Sequence, residues 1–323
     1  MCTAITYQTG DFYFGRNLDL HYGYNETVAV TPRNFPFIFR NGQCLDRHYA
    51  MIGMATVANN YPLYYEGTNE CGLSIAGLNF PENTVYFHAN PNKTNIAPFE
   101  LIPWLLSACT TAGEAKERLS SLNLWDEPFD DKFPLTPLHW LIADKDTCIT
   151  LESTKDGLQI YDNPVGVLTN NPPFPYHLLH LADYMHVSPS MPANLFSQKL
   201  TIQPYSLGMG GMGLPGDLSS SSRFVRAAFA RNNAVSAEDE RSSVSQFFHM
   251  LDYVAQPRGI AEVSPGEFEY TRYSSCCNTS KGIYYYTSYE NRQVTAVDMH
   301  GCDLNSNQLI LFPFQHSLSI RYM

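Results

Sequence analysis

Short runs of β-branched and aromatic residues, cut by Gly, Asn and Pro, fill the N-terminal third of the chain. Residues 2–8 and 11–16 are two such runs joined at Thr9-Gly10-Asp11, a pattern that predicts a hairpin. Further strand-like runs cover 26–31, 49–56, 62–66 and 73–78. The period then changes. Residues 98–109 open on Pro98, a good first-turn residue, and predict a helix. Residues 112–122 place Ala112, Ala115, Leu119 and Leu122 at helical spacing. Strands return at 138–143, 148–152, 158–161 and 165–169. Helices are predicted at 174–185, 220–232 and 243–255, the second behind a serine run that supplies caps. Strands at 282–288 and 293–298, joined through Glu290-Asn291, and a run near 309–320 close the chain. Strand blocks between helix blocks predict an α+β layered fold. With no repeat, low-complexity stretch or linker, one domain over 1–323 is expected.

Composition narrows the partners. Of 323 residues, 44% are hydrophobic and 13% aromatic, enough for a large core. A formal charge of −11 excludes nucleic acid as the main partner, because phosphate binding needs a cationic footprint. No run of about 18 apolar residues occurs, so no membrane insertion is expected. The opening Met1-Cys2-Thr3-Ala4-Ile5 has neither a basic nor a long apolar region, and a cytoplasmic location is expected. The eight cysteines are scattered, without a CxxC pair for zinc, and most are read as free, buried thiols. His177 and His180 lack an HExxH setting, so no metal site is expected. Gly208–Gly213 fits G-x-G-x-x-G formally. No strand precedes it and Leu214-Pro215 follows, so it reads as a flexible loop beside a pocket, not a dinucleotide site.

The chemistry concentrates at the start. Removal of Met1 would leave a thiol and a free α-amine on Cys2, a nucleophile and a base with reference pKa values of about 8.5 and 7.7–8.0. The hairpin would return Arg16 and Asp19 toward Cys2. In a strand Arg16, Leu18 and Leu20 share one face, while Asn17 and Asp19 share the other. A nearby Arg favours thiolate and a carboxylate orients an ammonium. The simpler alternative is a surface Arg–Asp pair. Asn79 and Asn170 end apolar runs before prolines, where each is either an oxyanion donor or a turn former. Arg223 sits at a helix start, against the helix dipole, which suits either a second role or a structural cation.

Together these segments resemble the choloylglycine hydrolase family of N-terminal nucleophile hydrolases, which contains bile salt hydrolases and penicillin V acylases. The resemblance rests on Met1–Thr6, Gly15–Asp19, Thr31–Pro36, Asn69-Glu70, Gly77–Pro81, Gly166–Pro172, Leu214–Asp217, Ser222–Phe224 and Tyr289–Asn291. It implies a four-layer αββα sandwich of two antiparallel sheets flanked by helices, and a homotetramer. It implies Cys2 as nucleophile, Arg16 and Asp19 holding thiolate and amine, Asn79 and Asn170 forming or supporting the oxyanion hole, and Arg223 completing the charged network. Leu18 would line a steroid pocket, and the 206–213 loop would face the amino-acid end of the substrate. Asn79, where related penicillin acylases tend to carry Tyr, points to glycine- or taurine-conjugated bile salts as substrate, with no cofactor. A penicillin V acylase or other N-acyl amide hydrolase, or a silent homologue that binds bile acids or lipids, is the alternative.

Overall fold

The computed structural model describes all 323 residues. Fourteen strands build two large sheets. In chain order they are β1 (Cys2–Gln8), β2 (Phe12–Leu20), β3 (Thr27–Thr31), β4 (Met51–Ala58), β5 (Tyr61–Asn69), β6 (Ser74–Asn79), β7 (Leu138–Ala143), β8 (Cys148–Thr154), β9 (Gly157–Asp162), β10 (Val167–Leu168), β11 (Tyr270–Asn278), β12 (Ile283–Ser288), β13 (Thr295–Asp298) and β14 (Ile310–Pro313). The first sheet runs β10-β1-β2-β11-β12-β13 and the second β9-β8-β7-β6-β5-β4-β3-β14. Every pairing within both is antiparallel.

There are five α-helices: α1 (Leu101–Leu106), α2 (Ala112–Leu119), α3 (Phe174–His180), α4 (Ser220–Asn233) and α5 (Glu240–Asp252), with α3 packed on α4. Helices α4 and α5 lie on the first sheet, and α1 and α2 on the second. One apolar cluster fills the space between the sheets and under α4 and α5, joining Ile5, Phe14, Ile52, Leu78, Phe224 and Phe247. Another seals α1 and α2 onto the second sheet through Ile75, Leu101, Trp104, Leu119 and Trp140. Sheet interiors apolar on one side only would read as alternation. Strands largely buried on both faces, such as β4 and β6, read as near-continuous apolar or small-residue runs instead. The layer order is helix, sheet, sheet, helix, as the resemblance implies.

Several boundaries move, each for a local reason. β2 runs on to Leu20, so Gly15–Asp19 lies inside the strand rather than after it. Helix α2 stops at Leu119, and Leu122–Leu124 pairs as a strand with Thr94–Ile96. The 174–185 helix breaks into α3 and a 3-10 turn at Leu181–Tyr184. α5 begins earlier, at Glu240, because Asp239 caps it by accepting from Ser242 N. The central strand β11 has no counterpart among the predicted elements. Its Tyr-Thr-Arg-Tyr-Ser-Ser-Cys-Cys-Asn run shows no alternation, since both of its faces are buried. The cysteines divide more evenly than expected: all are free, but Cys44 and Cys71 are exposed, while Cys2, Cys109, Cys276 and Cys277 are buried.

Candidate active site

Antiparallel register places the thiol. Cys2 lies opposite Leu18 in the β1–β2 hairpin, so Cys2, Arg16 and Leu18 share the face turned to the second sheet. Asn17 and Asp19 take the other face, where Asn17 Nδ2 donates to Leu251 O of α5 at 2.9 Å. Arg16 is wholly buried. Its Nη1 donates to Gly77 O at 2.5 Å and Tyr65 O at 3.3 Å, and lies 3.9 Å from Glu66 Oε2. Tyr273 and Tyr284 donate to that carboxylate at 2.7 and 2.5 Å. Burial opposes the guanidinium charge, but Cys2, Tyr273, Glu66 and Asp19 outweigh it and move the Arg16 pKa upward. Arg16 Nη2 has no protein partner and Arg16 borders the cavity that holds Cys2, so this cation keeps a spare donor beside the thiol.

Asp19 is held from two elements. Thr271 Oγ1 donates to Oδ1 at 2.6 Å and Gln256 Nε2 to Oδ2 at 3.1 Å. A bulge in β11 between Thr271 and Tyr273 makes both contacts of that strand possible: Thr271 faces Asp19 while Tyr273 faces Leu18 and reaches Glu66. The amino terminus lies against the same carboxylate-bearing residue. Met1 N donates to Asp19 O at 2.9 Å and pairs with Glu269. Burial lowers the pKa of this amine, while Cys2 and Asp19 pull it back up.

Asn170 is the hub. Its Oδ1 accepts from Cys2 N at 2.9 Å and Arg223 Nη2 at 2.6 Å, and its Nδ2 donates to Asn79 O at 2.6 Å. Ser220 Oγ accepts from Asn170 N at 2.7 Å. Arg223, also wholly buried, donates through Nη1 to Cys2 O and to Thr3 Oγ1, the latter at 2.7 Å. One hydrogen on Asn170 Nδ2 remains free. Asn79 contributes its backbone. Phe80 N bonds to Pro137 O at 2.8 Å, so Gly77 and Asn79 turn their peptide groups away from β7. On that side Gly77 O meets Arg16, Asn79 O meets Asn170, and the Asn79 N–H points the same way.

The thiol opens into a cavity of about 460 Å³, within the range of small-molecule sites. Cys2, Arg16, Leu18 and Asn79 border it at one end, and Leu20, Tyr24, Phe129, Phe133 and Leu135 supply apolar wall. Segment 206–213 does not line it, contrary to the expectation for that loop. An open depression of about 610 Å³ around Arg33, Arg47 and Glu70 does not include Cys2. The structure thus brings Cys2, Arg16, Leu18, Asp19, Asn79, Asn170 and Arg223 to one locus. Glu66, Gln256, Glu269 and Thr271 join them without having been singled out, because each depends on pairing distant in sequence. With a nucleophile, a terminal amine, amide donors and buried cations around one apolar cavity, the arrangement can attack and cleave an acyl compound whose acyl group is large and apolar.

A profile described as "Linear amide C-N hydrolases, choloylglycine hydrolase family" matches residues 2–312. A bile salt hydrolase/transferase of Lactiplantibacillus plantarum is 53% identical over 98% of this chain and 97% of its own length. One from Clostridium perfringens is 36% identical over 100% of both chains. Among solved structures, the mutant C2A conjugated bile acid hydrolase from Clostridium perfringens matches with a TM-score of 0.92 at 36% identity, over 100% of this chain and 99% of that one. Penicillin V acylase from Agrobacterium tumefaciens matches with a TM-score of 0.76 at 20% identity, over 97% and 91%, a likeness of fold.

Proposed function

Because the chain belongs to the choloylglycine hydrolase family of linear amide C–N hydrolases, we propose that it hydrolyses the amide joining a bile acid to glycine or taurine, with Cys2 as nucleophile. The observation that carries this is the placement of Cys2, its nitrogen held by Asn170 Oδ1, between a wholly buried Arg16 and an apolar cavity that fits a rigid hydrocarbon acyl group.

Removal of Met1 frees the Cys2 amine, which takes the thiol proton. Sulfur attacks the amide carbonyl, and the oxyanion accepts hydrogen bonds from the free hydrogen on Asn170 Nδ2 and the Asn79 N–H. The proton passes from the amine to the departing nitrogen, glycine or taurine leaves, and a thioester remains on Cys2. Water then gives a proton to the same amine and adds to the thioester. Collapse releases the bile acid and returns the proton to sulfur. Arg16 stabilises the sulfur anion, Asp19 orients the amine, and Arg223 fixes Asn170 to the Cys2 carbonyl. Leu18 lines the steroid end. One oxyanion donor of this kind contributes about 2.7–4 kcal/mol to the transition state.

The proposal covers a single catalytic domain over 1–323, working as a homotetramer in the cytoplasm. Segment 185–212 has little regular structure and exposes Met185, Leu195, Phe196, Tyr205 and Leu207, surface suited to burial against a second copy. Rates on glycocholate, taurocholate and penicillin V, measured side by side on the Met-trimmed protein, test the substrate. Faster turnover of both conjugates is expected; a preference for penicillin V would reverse the assignment.

A further inference from the structure

Two buried imidazoles take no part in the reaction above. His139 of β7 stacks on Phe80, with ring centroids 4.2 Å apart and planes 4° apart. His177 of α3 stacks on Phe224 at 4.7 Å and 21°. Phe80 directly follows Asn79, and Phe224 directly follows Arg223. The two rings hold consecutive carbonyls: His139 Nε2 donates to Thr169 O at 3.0 Å, and His177 Nε2 donates to Asn170 O at 3.0 Å. Glu152 joins the pair. Its Oε1 lies 3.1 Å from His139 Nδ1 and accepts from Phe174 N at 3.0 Å, at the start of the helix that carries His177. All five side chains are fully buried.

Burying an imidazole is costly unless its hydrogen bonds return the loss. At His177 the return is narrow. Nδ1 has no partner, and burial pushes the ring pKa down to about 4, so a neutral ring makes a single hydrogen bond. That bond goes to Asn170, whose N–H, Oδ1 and Nδ2 are already held by Ser220, by Cys2 and Arg223, and by Asn79. The carbonyl was the last backbone polar atom of Asn170 free to swing, and His177 pins it.

We propose that His139 and His177 are positioning residues: two His–Phe stacks lock Thr169-Asn170 against Asn79 and Arg223, so that the free Nδ2 hydrogen of Asn170 keeps its aim at the developing oxyanion. This rests on the hydrolase reading above. The test separates kcat from KM for glycocholate in His177→Phe and His177→Gln. Phenylalanine keeps a stacking ring and loses the donor; glutamine keeps an Nε2 donor and loses the ring. Small displacements of reacting groups cost up to about 10²-fold, so His177→Phe should lower kcat about tenfold or more with KM within about twofold, and His177→Gln should recover to within about threefold of wild type. A crystal structure of His177→Phe should show the Asn170 amide displaced from Asn79 O. Equal kcat in all three proteins, or equal losses in both variants, overturns the proposal. Should His177→Phe fail to fold, Phe80→Leu removes only the stack beneath His139: a several-fold fall in kcat at constant KM supports the proposal, and an unchanged kcat overturns it. Wild-type protein that leaves glycocholate intact would count against the hydrolase reading instead. The position of Asn170 in the variant crystal would then decide the positioning proposal alone, displacement supporting it and an unmoved amide overturning it.

Discussion

The mouth of the β1–β2 hairpin and the arm at 185–212 treat polar and apolar groups in opposite ways. Around Cys2, charged and amide side chains are buried: Arg16, Asn17, Asp19 and Arg223 are all at 0% exposure, and most of their polar atoms meet a partner. Along the arm, apolar side chains stand in solvent, with Leu195 at 92% and Leu207 at 90% exposure. A buried charge survives only inside a satisfied network, so the first region is geometrically determined. Exposed apolar surface lowers its free energy by being covered, so the second region suits burial in the assembly proposed above. Catalysis should therefore fail through single atoms at the hairpin and tolerate wholesale change in the arm.

The sharpest break is Cys2→Ala, which should reduce conjugate hydrolysis on the order of 10⁴-fold or more while leaving the fold intact by circular dichroism. Next comes a retained Met1, secured by an N-terminal extension. It turns the proposed base into an amide and should cost about 10²–10⁴ in kcat, measured alongside intact mass. Asn170→Ala removes one of the proposed oxyanion donors and should cost about 10²–10³ in kcat.

A subtler probe is the acid limb of the kcat/KM profile. Burial lowers the Met1 amine pKa even though Cys2 and Asp19 raise it, and the nitrogen that trimming frees belongs to Cys2, itself buried one residue along the chain. The base works unprotonated, so activity should fall as pH drops through a value below the ordinary amine figure of about 8. Asp19→Asn removes a charge that favours the ammonium, and should move that limb lower still. The mildest effect belongs to the arm. Leu195→Asp with Leu207→Asp should reduce the mass seen by light scattering, with kcat changed by no more than about threefold, because the proposed burial against a second copy, rather than chemistry, is lost.

The same contrast explains what could be read from the chain. Cys2, Arg16, Leu18 and Asp19 were legible because they lie on one short hairpin, where strand parity alone assigns their faces. Asn79, Asn170 and Arg223 come from three other elements, and the resemblance to a family, not their spacing, brought them into the set. β11 was invisible: its serines and cysteines pack on both sides and leave no period to detect. With it went Thr271 and Tyr273, and with the loop before it Gln256, the groups that hold Asp19 and Glu66. Glu66 looked like one more strand carboxylate, although burial raises its pKa against the pull of Arg16 and its tyrosine donors. His177 was noticed only as a poor metal ligand, because its partner, Asn170 O, is a backbone atom. Long-range backbone contacts of this kind leave no trace in residue type.

The most direct test is to quench the Met-trimmed enzyme in acid during turnover of taurocholate and locate the acyl group by peptide mass spectrometry. The account predicts a choloyl thioester on Cys2, absent from Cys2→Ala. An adduct on another side chain, or unimpaired hydrolysis by Cys2→Ala, would contradict it.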